Sequence, residues 1–123
     1  VNLMFPCKPD HPFVYWATLS YVGELIMAGA NCYTYDNGFL HAKGLSIDGK
    51  ACCYGTANMD IRSFELNFEV NAMIFDQNIA GEMERIFRED LKCCTRITKE
   101  MYKSRSVWIR FKEQISRLLS PVL

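Results

Sequence analysis

The chain has 123 residues, half of them apolar and 23% charged, with 14 Lys and Arg balanced by 14 Asp and Glu. That length holds one domain with one hydrophobic core, and the balance excludes a disordered chain. The neutral total also speaks against the basic groove that a nucleic acid requires, so no nucleic-acid partner is expected.

The average conceals an asymmetry. Residues 1–91 carry 6 Lys and Arg against 12 Asp and Glu, whereas residues 92–123 carry 8 against 2. Val1 opens the chain without an initiator Met or a signal peptide, so residues 1–123 are expected to form a single domain of a longer protein. The apolar runs are too short to cross a bilayer, and any anchor is expected elsewhere or to be peripheral. The six cysteines form two adjacent pairs, Cys52-Cys53 and Cys93-Cys94, with Cys7 and Cys32 alone. This fits neither a zinc knuckle nor a secreted disulfide framework, so reduced core thiols in a cytosolic compartment are expected, with no metal and no cofactor.

In chain order, residues 2–5 predict a strand stopped by Pro6 and Pro9. Trp16, Leu19, Val22, Leu25 and Ile26 recur at helical spacing within a helix from Phe13 to Ala28, with Gly29 as its C-terminal stop. Residues 31–35 are aromatic and extended, and Asp36-Asn37-Gly38 marks a turn. Leu40–Asp48 predicts a strand, Asp48-Gly49-Lys50 a tight turn and Ala51–Tyr54 the returning strand. Asn67–Phe75 alternates polar and apolar residues and predicts another strand. Ile79, Met83, Ile86, Phe87 and Leu91 mark an amphipathic helix. Thr98 is a candidate N-cap of a short helix, and Val107, Phe111, Ile115, Leu118 and Leu119 mark a last helix before Pro121. The order predicts an α/β fold, a mixed β-sheet flanked by helices.

Within the predicted strand 40–48, His41 and Lys43 share a face by parity, about 7 Å apart along the backbone. Together they suit one phosphate: the imidazole supplies nucleophile or proton-transfer chemistry, and the ammonium neutralises phosphoryl charge. The small-residue loop Gly55-Thr56-Ala57-Asn58 follows. Gly55 permits close backbone approach, and Thr56 and Asn58 can donate to a phosphate oxygen. Asn67, Glu69 and Asn71 fall on one face of strand 67–75, opposite Phe68, Val70 and Ala72. That polar face lines either a site or solvent. His-x-Lys alone is also compatible with a chance surface pair.

His41-x-Lys43-x4-Asp48 followed by Gly55-Thr56-Ala57-Asn58 resembles the signature of the phospholipase D superfamily. The run from Asn58 to Asn71 resembles its bacterial cardiolipin synthase branch in particular. So do Pro6-x-Lys8-x-Asp10, Gly38-Phe39-Leu40-His41-Ala42-Lys43 and Arg117-Leu118-Leu119-Ser120-Pro121. Thr56 stands where Ser is more usual, which keeps the hydroxyl.

The resemblance implies one lobe of a two-lobed enzyme with one motif per lobe, here the C-terminal half. It implies phosphatidyl transfer between two phosphatidylglycerol molecules through a phosphatidyl-histidine, at a bacterial membrane, with no metal. His41 would then be the general acid/base and the other lobe's histidine the nucleophile. A second lobe or a homodimer partner would complete the site. Asp48 has opposite parity to His41 and is expected to shape the turn at Gly49. Glu69 is expected to hold a His41 ring nitrogen at about 3 Å and to favour the protonated ring.

The competing functions are a hydrolase or nuclease of the same superfamily and a non-catalytic scaffold lobe. His11 is expected in a loop, Trp16 and Tyr21 in the core, and Arg62 at a lipid phosphate or in an ion pair. The C-terminal helix with Trp108, Arg110, Lys112 and Arg117 either lies on an anionic membrane or packs on the sheet with a solvated basic face.

Overall fold

The fold is that of a computed structural model, which describes residues 1–8 and 12–119. The expectations for His11, Pro9, Asp10 and the stop at Pro121 lie outside the described residues. The α/β class is as expected, but the strands divide between two three-stranded sheets. The chain correspondingly forms two compact units, Val1–Leu40 with Cys93–Leu123, and His41–Lys92.

In the first unit, β1 (Asn2–Pro6) pairs parallel with β2 (Asn31–Tyr35), and β2 pairs antiparallel with β6 (Cys94–Ile97). Strand β6 was not foreseen; at four residues it is too short to show alternation. Helix α1 (Pro12–Met27) makes the parallel crossover from β1 to β2. It ends in a Schellman turn: Ala30 N–H donates to Leu25 O at 2.9 Å, Gly29 N–H donates to Ile26 O at 3.1 Å, and Gly29 holds φ +91°. Thr98 caps the short α4 (Lys99–Lys103) by accepting from Met101 N–H at 3.2 Å, as its position in the sequence predicts.

Helix α5 (Val107–Leu119) packs chiefly on α1. Between them Val22, Glu113 and Ser116 are fully or almost fully buried. Arg105 neutralises the Glu113 carboxylate by ion pairing, and its guanidinium also lies 3.3 Å from the Tyr102 ring centroid. Burial pushes the Glu113 carboxyl above its ordinary value, with Arg105 opposing.

In the second unit the order is β3 (Gly44–Ile47), β4 (Ala51–Gly55), β5 (Asn71–Ile74), antiparallel throughout. The β3–β4 turn places Asp48 at φ 51° and Gly49 at φ 61°, and Lys50 N–H donates to Ile47 O at 2.9 Å. Positive φ at both central residues is what a type I′ hairpin turn requires. Gly44 faces the Tyr54 ring across the ladder, and a β-carbon there would overlap it.

Helix α3 (Gln77–Leu91) is capped by Asp76, which accepts from Ile79 N–H at 2.9 Å. It turns Ala80, Met83, Phe87 and Leu91 inward, while Ile79 and Ile86 remain exposed. The inward stripe is therefore rotated from the expected one. A five-residue helix, α2 (Ile61–Glu65), was also not foreseen. All six cysteines are free thiols. Cys32 and Cys52 are fully buried, but Cys93 is exposed and does not belong to a core.

Candidate active site

Two predicted strands are shorter than the sequence pattern implied, and this changes how the site is built. Strand 40–48 is reduced to Gly44–Ile47, so His41 and Lys43 stand on the irregular segment before it. Strand 67–75 is reduced to Asn71–Ile74, so Asn67 and Glu69 lie in a loop. The strand-parity argument therefore does not place these side chains. Moreover, β3 and β5 flank β4 and are not neighbours.

Within the second unit His41 and Lys43 nevertheless meet. Lys43 Nζ lies 3.0 Å from His41 Nε2, and it also donates to His41 O at 3.3 Å. An ammonium has no acceptor, so this contact requires Nε2 to accept and the neutral ring to carry its proton on Nδ1. His41 is exposed and Lys43 half-buried, a solvent-accessible pair of nitrogen groups. The backbone ties the pair to the neighbouring loop: Gly55 N–H donates to Lys43 O at 3.3 Å.

That loop, Gly55-Thr56-Ala57-Asn58, is fastened residue by residue. Thr56 N–H donates to Val70 O at 3.0 Å, and Val70 N–H donates to Thr56 Oγ1 at 2.9 Å. Ala57 N–H donates to Asn71 Oδ1 at 3.4 Å. A β-carbon on Gly55 would overlap the Val70 carbonyl and Asn71, so only glycine lets the loop approach β5 this closely. Asn58 N–H donates to Ser63 Oγ at 3.1 Å, which leaves the exposed Asn58 carboxamide directed by an anchored backbone.

Ser63 is the residue that sequence reasoning missed. Asp60 caps α2 by accepting from Ser63 N–H at 2.7 Å, which sets Ser63 on the first turn, 6% exposed. Its hydroxyl donates to Glu69 Oε1 at 3.0 Å, and Asn67 Nδ2 donates to the same oxygen at 3.2 Å. The readable signal was Asp60 three residues before Ser63, an N-cap spacing. The Thr56 hydroxyl, then Asn67 and Ser63, hold the Glu69 carboxyl below the ordinary carboxylate range; the Lys43 charge adds to this, and partial desolvation opposes it. Glu69 is thus ionised at neutral pH and electrostatically coupled to Lys43.

Asp48 sits in the β3–β4 turn. Of the other candidates, Trp16 is half-buried against Phe13, and Tyr21 lies under the Arg117 guanidinium, 4.3 Å from centroid to cation. No helix among the described residues is long and apolar enough to cross a membrane.

Residues 1–91 match the family model described as "Cardiolipin synthase, PLD-like domain". Over all 123 residues the chain is 58% identical to the major cardiolipin synthase ClsA of Bacillus subtilis and 56% identical to a cardiolipin synthase of Oceanobacillus iheyensis, covering 26% of each. It is 57% identical to a cardiolipin synthase of Staphylococcus aureus, covering 25% of it. The chain thus spans about a quarter of the length of these relatives. On these matches the chain belongs to the phospholipase D-like cardiolipin synthase family.

Proposed function

We propose that this chain is the C-terminal catalytic lobe of a phosphatidyltransferase that makes cardiolipin from two phosphatidylglycerol molecules and releases glycerol, at the cytoplasmic side of a bacterial membrane. The observation that carries the reading is the approach of His41 Nε2 to Lys43 Nζ at 3.0 Å, beside the anchored Thr56–Asn58 loop. A phosphate entering there would replace a nitrogen–nitrogen contact with two charge-assisted ones.

In this reading the histidine of a second lobe attacks phosphorus, forming a phosphatidyl-histidine and breaking the bond to the departing glycerol oxygen. His41 donates a proton to that oxygen. It then takes the proton from the primary alcohol of the second phosphatidylglycerol as that oxygen displaces the histidine. Lys43, Thr56 and Asn58 stabilise the charge on the pentacoordinate phosphorus. Glu69 orients the His41 ring through its Nδ1–H. Asp48 shapes the turn.

A lone His-x-Lys set supplies half of this chemistry, so the 123-residue chain is expected to be inactive as a monomer. A second lobe, or a second copy in a symmetric dimer, would restore it. The test is product analysis from phosphatidylglycerol with the full-length enzyme that contains this segment. Cardiolipin with glycerol is expected. Phosphatidic acid instead would identify a hydrolase, and no product at all would identify a scaffold lobe.

A further inference from the structure

Helix α5 is mounted with its polar side inward. The groups it buries against α1 are Glu113 and Ser116, 1% and 0% exposed. Its large apolar residues point away: Val107, Trp108, Phe111 and Leu118 are 79%, 74%, 56% and 81% exposed. At helical spacing, Val107, Leu118, Phe111, Ile115, Trp108 and Leu119 fill a continuous arc of roughly 120°. Phe13 of α1 adjoins this arc, and with Trp16, Trp108 and Phe111 it lines an apolar cleft between the two helices.

The charges around the arc have one sign. Lys112 borders it on one side, its ammonium 5.0 Å from the Trp16 ring centroid. On the other side the exposed, uncharged Gln114 borders it, with the exposed Arg110 next beyond. The one carboxylate of α5, Glu113, is buried and paired with Arg105, so α5 shows solvent no negative charge. The surrounding segment 92–123 carries 8 Lys and Arg against 2 Asp and Glu. An exposed arc of aromatic and aliphatic side chains, fringed by cations on long stems, is the composition of a helix lying in a membrane interface. A protein partner would not require that single sign of charge; an anionic lipid surface does.

We propose that the outer face of α5, with Phe13 beside it, docks on an anionic lipid surface, the helix axis in the plane of the interface and Lys112 and Arg110 at the level of the headgroups. This contact is independent of the His41 chemistry, and it acts in addition to any other attachment of the enzyme.

The experiment is co-sedimentation of the 123-residue chain with vesicles of phosphatidylglycerol and phosphatidylcholine, and with vesicles of phosphatidylcholine alone. Binding is expected to the first and not to the second, and to weaken as salt is raised. The variant Phe111→Ser/Leu118→Ser is expected to lower partitioning at least about tenfold. Both side chains are exposed, so its far-ultraviolet circular dichroism should match that of the parent chain. Three results would each overturn the proposal: equal binding to both vesicle types, undiminished binding by a folded double variant, or self-association through this face with no vesicle binding. A misfolded double variant would be replaced by Trp108→Ser, judged by the same partition ratio.

Discussion

The Ser63 hydroxyl donates to Glu69 Oε1 at 3.0 Å while accepting from the backbone N–H of Asn58 at 3.1 Å. One buried side chain thereby sets both the Gly55–Asn58 loop and the Glu69 carboxylate. Replacing it with Ala removes both bonds and leaves Glu69 Oε1 with one donor fewer. Ser63→Ala is expected to lower kcat of the full-length enzyme by about ten- to a hundredfold. The stability cost should be only about 1–2 kcal/mol. Steady-state kinetics together with urea unfolding separates the two effects; a loss of stability with unchanged kcat would limit Ser63 to a structural role.

His41→Ala and Lys43→Ala address the chemistry directly. Both side chains are at least partly open to solvent, so truncation should leave folding intact. Cardiolipin formation should fall by about three orders of magnitude or more in each. Retention of more than about a tenth of the rate by His41→Ala would rule it out as acid or base.

Glu69 offers a test by pH. Its folded-state pKa lies below the ordinary carboxylate value, so its contribution to order in the loop is present above that value. The contribution is lost only as pH falls through the depressed pKa. The amide resonances of Ala57 and Asn58 should therefore be insensitive to pH between neutrality and about 5, then shift in more acid solution. In Glu69→Gln the acid shift should vanish. That variant should lose less activity than His41→Ala, because an amide still orients the ring without supplying charge.

Gly55 is a purely steric test. Any β-carbon there meets Asn71, placed by the β4–β5 ladder, and the Val70 carbonyl, held by Thr56 N–H at 3.0 Å. Gly55→Ala is expected to destabilise the chain by about 2–3 kcal/mol, read as a lower denaturation midpoint at constant m.

The buried pair of the first unit predicts an asymmetry. Arg105→Met strands the Glu113 carboxylate away from water and should cost about 3 kcal/mol or more. Adding Glu113→Gln should recover much of that loss. Because burial raises the Glu113 pKa, the penalty in Arg105→Met should be absent in acid, where the carboxyl is protonated in both states. It should develop as pH rises through the ordinary value and the folded pKa. Urea titrations at acid and neutral pH provide the check.

Local chemistry was legible in the sequence by itself. Gly29 as a helix stop, Asp48-Gly49-Lys50 as a tight turn, Thr98 as a cap and the α/β class all follow from backbone preferences that act over a few residues. The candidate residue types His41, Lys43, Thr56 and Asn58 were readable for the same reason, since an imidazole, an ammonium and small donors are the groups that the proposed phosphate chemistry uses. Tertiary structure decided how these groups meet. Polar–apolar alternation in 40–48 and 67–75 cannot show where ladder pairing ends, and β3 and β5 stop at the residues that find partners on β4. His41, Lys43 and Glu69 therefore stand on loops, which Gly55, Thr56 and Ser63 fasten through bonds spanning up to 14 residues. The orientation of α5 was likewise beyond the sequence. Periodicity shows that a helix has an apolar face, but the ion pair of Glu113 with Arg105 allowed the other face to be buried, and so turned the apolar one outward.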